Sequence, residues 1–166
     1  MKTSILILNQ AEIEHKIKRI AYQILENNID EKEIILAGIA KNGYELARRL
    51  KMELEKISSL TAKLCEVHID KKNPLDTIST SLKAEDYQEK SVVLVDDVLN
   101  SGTTLIYGVR HFLDVPLKQF KTAVLVDRNH KKYPVKADFK GISLSTSLSE
   151  TVKLRFEKDK DRVELL

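Results

Sequence analysis

Cysteine is almost missing from this chain. The single Cys65 in 166 residues excludes an internal disulfide and any cysteine-cluster metal site. Long apolar runs are missing too, and no segment approaches the length of a membrane span. The run Ile5–Leu8, with one lysine ahead of it, is much too short for the core of a signal peptide, so the cytoplasm is the expected location. There is no internal repeat or low-complexity tract, and only three prolines and five glycines punctuate the chain. Charge of one sign is scarce: the formal net charge of +3 suits phosphate-rich ligands but falls far short of a dedicated nucleic-acid binder. What remains is an ordinary composition, 42% hydrophobic and 32% charged, and a length that suits one compact domain.

Periodicity orders the chain. Gln10–Asn28 places Ile13, Ile17, Ile20, Ala21, Ile24 and Leu25 on one helical face, with Asn9 as N-cap. Ile34–Ile39 reads as a buried strand, Gly43–Ile57 as a helix and Ala62–Ile69 as a strand that holds Cys65 as a structural thiol. Lys71–Lys90 is polar and lacks a clear period, which predicts a loop with at most one short pairing. Val92–Val95 is the continuous apolar run of a strand covered on both faces. Thr103–Val115 follows as a helix and Thr122–Val126 as another buried strand, after which short strands such as Val152–Phe156 alternate with loops. Alternating strand and helix predicts an α/β fold: a mostly parallel central sheet flanked by helices on both faces, with a small subdomain from the tail. Ligands of such sheets bind beyond the carboxyl ends of the strands, where Ala40–Asn42, Asp96–Gly102 and Asp127–His130 all fall.

The stretch richest in chemistry is Ser91-Val-Val-Leu-Val-Asp96-Asp97-Val-Leu-Asn100-Ser101-Gly102-Thr103-Thr104. Two carboxylates leave a buried strand and a small-residue turn opens a helix. Turn and helix start present unpaired N–H groups with a favourable dipole, a cradle for phosphate. Gly102 permits close backbone approach, and the hydroxyls of Ser101, Thr103 and Thr104 add donors. Asp96 and Asp97 are acceptors only, suited to paired ribose hydroxyls or to water around a magnesium ion. The blander readings are an N-capped turn and a phospho-acceptor aspartate domain. The first leaves the second carboxylate without a purpose, and the second leaves the Ser-Gly-Thr-Thr turn unexplained. The glycine-rich loops of nucleoside triphosphatases and of dinucleotide folds are absent. His68, His111 and His130 lie far apart and lack metal-ligand spacing.

Val92–Thr104 resembles the signature by which type I phosphoribosyltransferases bind 5-phosphoribosyl 1-diphosphate (PRPP). The likeness is closest to the bifunctional pyrimidine-operon attenuator and uracil phosphoribosyltransferase family. Ile13–Asn28 and Ile35–Leu50 resemble its first helix and second strand-helix unit. Ala123-Val-Leu-Val-Asp127-Arg128-Asn129-His130 resembles its Val-Asp-Arg-Gly-His stretch, and the likeness continues to Phe139 and on through Gly141–Ser147. The resemblance implies one phosphoribosyltransferase-like domain over residues 1–166, with a hood of about residues 128–150 plus parts of the termini. It also implies transfer of the phosphoribosyl group to a base, with diphosphate released and Mg2+ as cofactor. By position, Asp96 and Asp97 would hold the ribose hydroxyls, directly or through the metal. The 5′-phosphate would rest on Leu99, Asn100, Ser101, Gly102, Thr103 and Thr104. Ala40, Lys41, Asn42 and Gly43 would form the diphosphate loop, and Asp127, Arg128, His130, Val135 and Lys136 would face the base. Purine-specific relatives carry an aspartate at the position of Asn100, so the acceptor implied is a pyrimidine such as uracil, or no base at all.

Two stretches depart from the family. Ala40-Lys41-Asn42-Gly43 replaces Lys-Thr-Arg-Gly, losing the bidentate grip of arginine, with Lys41 as a partial substitute. The segment after Ile69 reads Asp70-Lys71-Lys72-Asn73-Pro74 and lacks the Tyr-Arg-Asp-Asp of the mobile lid, leaving Lys71 and Lys72 as a reduced version. One electrostatic donor of this kind is worth roughly 3 kcal/mol of transition-state stabilisation. Two other functions therefore stand beside the enzyme: a weakened PRPP or nucleotide sensor, and a regulator that binds leader RNA. A homodimer is implied by family analogy alone. For RNA the candidate surface is His15, Lys16, Lys18, Arg19 and Tyr22 with Lys131, Lys132 and Lys136, although Glu12, Glu14 and Glu26 interrupt the helix.

Overall fold

A computed structural model describes residues 3–166. Its elements run β1 (Ile5–Leu8), α1 (Gln10–Glu26), β2 (Glu33–Ile39), α2 (Asn42–Ile57), β3 (Thr61–His68), β4 (Ser79–Thr80), α3 (Ala84–Tyr87), β5 (Ser91–Leu99), α4 (Thr103–Phe112), β6 (Gln119–Asp127), β7 (Phe139–Ser143), β8 (Val152–Arg155) and β9 (Arg162–Leu165). Six strands form one sheet in the order β4-β3-β2-β5-β6-β7, parallel throughout except for β4. Helices cover both faces, so the fold class is the one that periodicity predicts.

Local chemistry explains the elements. Asn9 accepts from the Glu12 amide at 2.9 Å while Glu12 accepts from the Asn9 amide at 2.8 Å, a reciprocal cap that starts α1. Side-chain alternation along the central strands divides two cores. Val93 and Val95 join Ile13, Ile20 and Leu50 beneath α1 and α2, and Val92 and Leu94 join Leu105 and Phe112 beneath α4. A buried Asn28 ties the end of α1 to the start of β5. It donates to the Ile24 carbonyl at 2.8 Å and accepts from the Ser91 hydroxyl at 2.6 Å. Such pairing removes the cost of burying the amide.

Three differences from the sequence expectations bear on the site. β5 runs to Leu99, so Asp96 and Asp97 lie within the strand instead of in the loop beyond it, and the turn shrinks to Asn100–Gly102. The ladder to β6 persists through Leu99↔Asp127 because Val98 and Leu99 are buried. The polar stretch after Ile69 holds the one short pairing that is expected, β4 on β3, but adds the single-turn helix α3, which is not. The apolar run Ile5–Leu8 is a strand, paired antiparallel with β9 in a second sheet of order β1-β9-β8.

That second sheet is pinned to α2. Arg49 pairs with the buried Asp161 and lies over the Phe156 ring at 4.1 Å, and Asp161 also accepts from the Glu157 amide at 3.0 Å. Removing one partner leaves the other charge uncompensated. Arg49 is a quarter exposed and keeps Glu45 at 3.1 Å, which discounts the loss. Asp161→Ala is therefore expected to lower unfolding free energy by about 2 kcal/mol in urea titration; an unchanged midpoint would mean that the pair contributes nothing.

Candidate active site

Two adjacent acids lie near the end of β5. Asp96 is 4% exposed, with its Oδ1 close to the start of α2 at Gly43. Asp97 is half-buried. Each carboxylate first satisfies the backbone: Asp96 Oδ1 accepts from the Asp97 amide at 2.9 Å, and Asp97 Oδ1 from the Val98 amide at 2.8 Å. The Lys71 ammonium stands 3.7 Å from Asp96 Oδ1. Asn42 donates from Nδ2 to Asp97 Oδ2 at 3.2 Å and to the Leu154 carbonyl at 2.9 Å. The side-chain partner of Asp97 is thus a neutral amide.

Gly102 makes the turn. Its φ of +86° lies in the left-handed region that glycine enters without a Cβ penalty. A Cβ there would lie 2.6 Å from Val135 Cγ1. Helix α4 begins with no side-chain cap, and the Ser101, Gly102 and Thr104 amides have no acceptor among the described residues. Ser101 Oγ lies 2.8 Å from Thr103 Oγ1. Open amides at the positive end of a helix are what an anion seeks. A recess of about 70 Å³ follows this turn and is bounded by Lys71, Asp96 and residues 98–105.

A wider recess of about 370 Å³ lies on the other side of the acids. Asn42, Lys71, Asp97, Val98, Asn100 and β8 line it. Lys71, Val98 and Asn100 border both spaces. Gly43 packs where an added Cβ would meet the Val95 carbonyl at 2.7 Å and Asp96 Cα at 3.0 Å, so α2 begins directly against the acidic pair. The Ala40–Lys41 peptide is cis, and Lys41 is exposed.

The remaining candidates divide. Arg128 reaches Asn100 Oδ1 at 2.9 Å and is also held by Thr146 Oγ1 and the Ser147 and Glu150 carbonyls. His130 contacts the Thr146 carbonyl. Asp127 is 1% exposed, accepts from the Asn129 amide at 2.9 Å, and faces Lys131 and Lys140, which makes it the organiser of its turn. Val135 packs behind Gly102. Lys136 points outward beside Asp138 at 3.6 Å, apart from both recesses. Sequence reasoning missed the part played by β8, because Leu154 contributes a backbone carbonyl and no side-chain pattern signals one.

Burial first, and the neighbouring Asp97 charge second, hold the Asp96 carboxyl well above the usual carboxylate range, with Lys71 opposing them. An acid whose pKa rises on folding stabilises the native state most at low pH. That contribution is lost as pH climbs from 3.8 through the raised native value. Asp96→Asn, neutral at every pH, is expected to melt above the wild type at about pH 8, with the gap closing toward about pH 4. A gap that is absent at the higher pH would show the buried charge to be without cost.

The description "phosphoribosyl transferase domain" matches residues 6–153. The chain belongs to the phosphoribosyltransferase family. Two relatives, each called bifunctional protein PyrR, come from Macrococcus caseolyticus and Streptococcus pneumoniae. The first is 33% identical over 96% of this chain and 96% of its own, and the second is 33% identical over 95% and 94%. Among solved structures, the hypoxanthine phosphoribosyltransferase of Trypanosoma cruzi superposes with a TM-score of 0.78 at 17% identity, covering 95% of this chain and 94% of that one. A hypoxanthine-guanine phosphoribosyltransferase from Bacillus anthracis gives 0.73 at 19% identity over 92% and 87%. At those identities the likeness concerns the fold alone. In this phosphoribosyltransferase the acids, the open-amide turn and the cis peptide converge on one sheet edge, the edge at which parallel sheets bind ligands.

Proposed function

We propose that this phosphoribosyltransferase takes PRPP and a pyrimidine base such as uracil, forming the nucleotide and releasing diphosphate. The observation that carries the reading is the uncapped turn Asn100–Thr104 beside the two adjacent carboxylates near the end of β5. The 5′-phosphate rests on the open amides of Ser101, Gly102 and Thr104 and on the hydroxyls of Ser101, Thr103 and Thr104. Asp96 and Asp97 receive the ribose hydroxyls, and Arg128, His130 and the hood of about residues 128–150 face the base. Ala40–Gly43 and Lys71 lie toward the diphosphate.

The base nitrogen bonds to ribose C1 while the C1–O bond to diphosphate breaks, its electron pair leaving on oxygen and the base proton passing to solvent. Positive charge develops at C1 in between, so the chain's work is positioning and charge complementarity. Among the described residues no three metal-ligating side chains converge. Two adjacent carboxylates nonetheless suit Mg2+, which is held by few protein groups and by substrate oxygens. Asp96 and Asp97 would hold it through water or the ribose hydroxyls, where it would screen the diphosphate charge.

A panel of bases incubated with PRPP tests this reading directly. Nucleotide and diphosphate should appear in equal amounts with a pyrimidine; their absence with every base sinks the enzyme reading. A second reading rests on the space of about 550 Å³ between α1 and α2, where His15, Lys18, Arg49 and Lys56 gather beside Glu14 and Glu53. On that reading the basic face binds RNA with a steep salt dependence that survives mutation of Asp97. Sedimentation would read the homodimer that both readings assume.

A further inference from the structure

Three cations and one carboxylate line the wide recess beside Asp97: Lys71, Lys153 and Arg155 stand against Asp97 alone. Two of the cations belong to β8 and are two residues apart. Side chains at that spacing leave one face of a strand, with their roots about 7 Å apart, while the buried Val152 and Leu154 take the other face. Lys153 is exposed and has no ion-pair partner among the described residues. Arg155 donates from Nε to Glu164 Oε2 at 3.1 Å, and Glu164 also receives Arg162 at 3.3 Å. One carboxylate thus serves two guanidiniums, and the terminal nitrogens of Arg155 stay open among the described residues. A planar pair of open N–H donors matches two oxygens of one phosphate.

The loop Ala40–Gly43 puts no such charge there. Asn42 commits Nδ2 to Asp97 Oδ2 and to the Leu154 carbonyl, which occupies both hydrogens of an amide nitrogen. Lys41 is exposed and borders neither recess. By holding the Leu154 carbonyl, Asn42 also fixes β8 as a wall of the recess, at the residue between Lys153 and Arg155.

We propose that β8 carries the diphosphate-binding cations of this chain: Lys153 and Arg155, together with Lys71, receive the diphosphate of PRPP in the recess of about 370 Å³. The inference deepens the proposed transfer reaction and rests on it for the identity of the anion. An excess of positive charge in a partly enclosed recess draws a polyanion and strengthens each contact as water leaves. Negative charge builds on the diphosphate oxygens as the C1–O bond breaks, so these cations act on the departing group and not on the base.

The test is calorimetric titration with inorganic diphosphate and Mg2+, beside ribose 5-phosphate, which has the 5′-phosphate and the diol but no diphosphate. Wild type is compared with Lys153→Gln, Arg155→Gln, their double variant and Lys158→Gln. All three side chains are exposed, and Glu164 keeps Arg162 when Arg155 is replaced, so the fold is retained. Each single recess variant should weaken diphosphate about fivefold or more and the double variant about thirtyfold or more. Ribose 5-phosphate should stay within about twofold throughout. Lys158→Gln removes one charge from the same hairpin outside the recess and should leave diphosphate affinity within about twofold. The assignment is overturned by a double variant that binds diphosphate as wild type does, by a wild type that binds none, or by an equal loss for ribose 5-phosphate or in Lys158→Gln. A protein that shows the expected losses but forms nucleotide with no base overturns the transfer reading instead and keeps β8 as a diphosphate site.

Discussion

Asp97→Asn is expected to cut PRPP-dependent nucleotide formation by roughly two to three orders of magnitude, the usual consequence of deleting one preorganised electrostatic partner of a transition state. The substitution is close to isosteric and leaves the fold in place. Asp97 Oδ1 accepts from the Val98 amide at 2.8 Å, and an asparagine oxygen can do the same. The partner at Oδ2 is the Asn42 amide, which retains the Leu154 carbonyl at 2.9 Å when Asp97 Oδ2 is replaced. Thermal stability should therefore move by no more than about 1 kcal/mol, while kcat collapses. The measurement is initial rate at saturating PRPP beside a melting curve. Turnover within threefold of wild type would remove Asp97 from the ribose and, with it, the central assignment of the site.

Gly102→Ala should produce the second large effect, and on binding more than on chemistry. The position has a φ of +86°, and the added carbon would lie 2.6 Å from Val135 Cγ1 and 3.6 Å from the Tyr133 carbonyl oxygen. A side chain held in left-handed backbone costs roughly 1–3 kcal/mol. Escape from it rotates the Ser101 and Gly102 amides away from the anion they would otherwise meet. PRPP affinity is expected to fall about ten- to a hundredfold by calorimetric titration, since each 1.4 kcal/mol is a factor of about ten. The Tyr133 and Lys132 amides, which donate to the Ser101 carbonyl at 3.2 and 2.7 Å, transmit the same shift into the 132–135 segment. Unaltered PRPP affinity in a folded Gly102→Ala protein would place the 5′-phosphate elsewhere.

Much of this architecture is legible in the residue order. The period of α1, the apolar runs of β2, β5 and β6, and the small-residue turn after the acids each carry their own local signal, and local signals suffice for parallel strands buried on both faces. Legibility fails where the cause is distant. Ile5–Leu8 looks like an unattached apolar run because its partner, β9, lies at the other end of the numbering. Asp96 and Asp97 look like loop residues because carboxylates rarely occupy a strand interior; the ladder to β6 and the burial of Val98 and Leu99 override that preference. At the site, the acids and the open turn are visible in advance, whereas Asn42 on the Leu154 carbonyl, Lys71 beside Asp96 and the four-way grip of Arg128 depend on tertiary placement that no spacing rule encodes.

The pairing of Ile5 with Leu165 and of Leu8 with Val163 also sets an order of events in time. Joining strands so far apart along the chain requires closing a very long loop, and contacts of that kind form late, after the nearer pairings of β2, β3 and β5 have reduced the search. Because β8 hangs on β9 and borders the space beside Asp97, that recess closes after the sheet that supports it. Contacts made last tend to open at the lowest free energy. Amide protons of residues 152–155 should therefore exchange well ahead of those of residues 92–95, and a bound substrate spanning both walls would slow the faster set first.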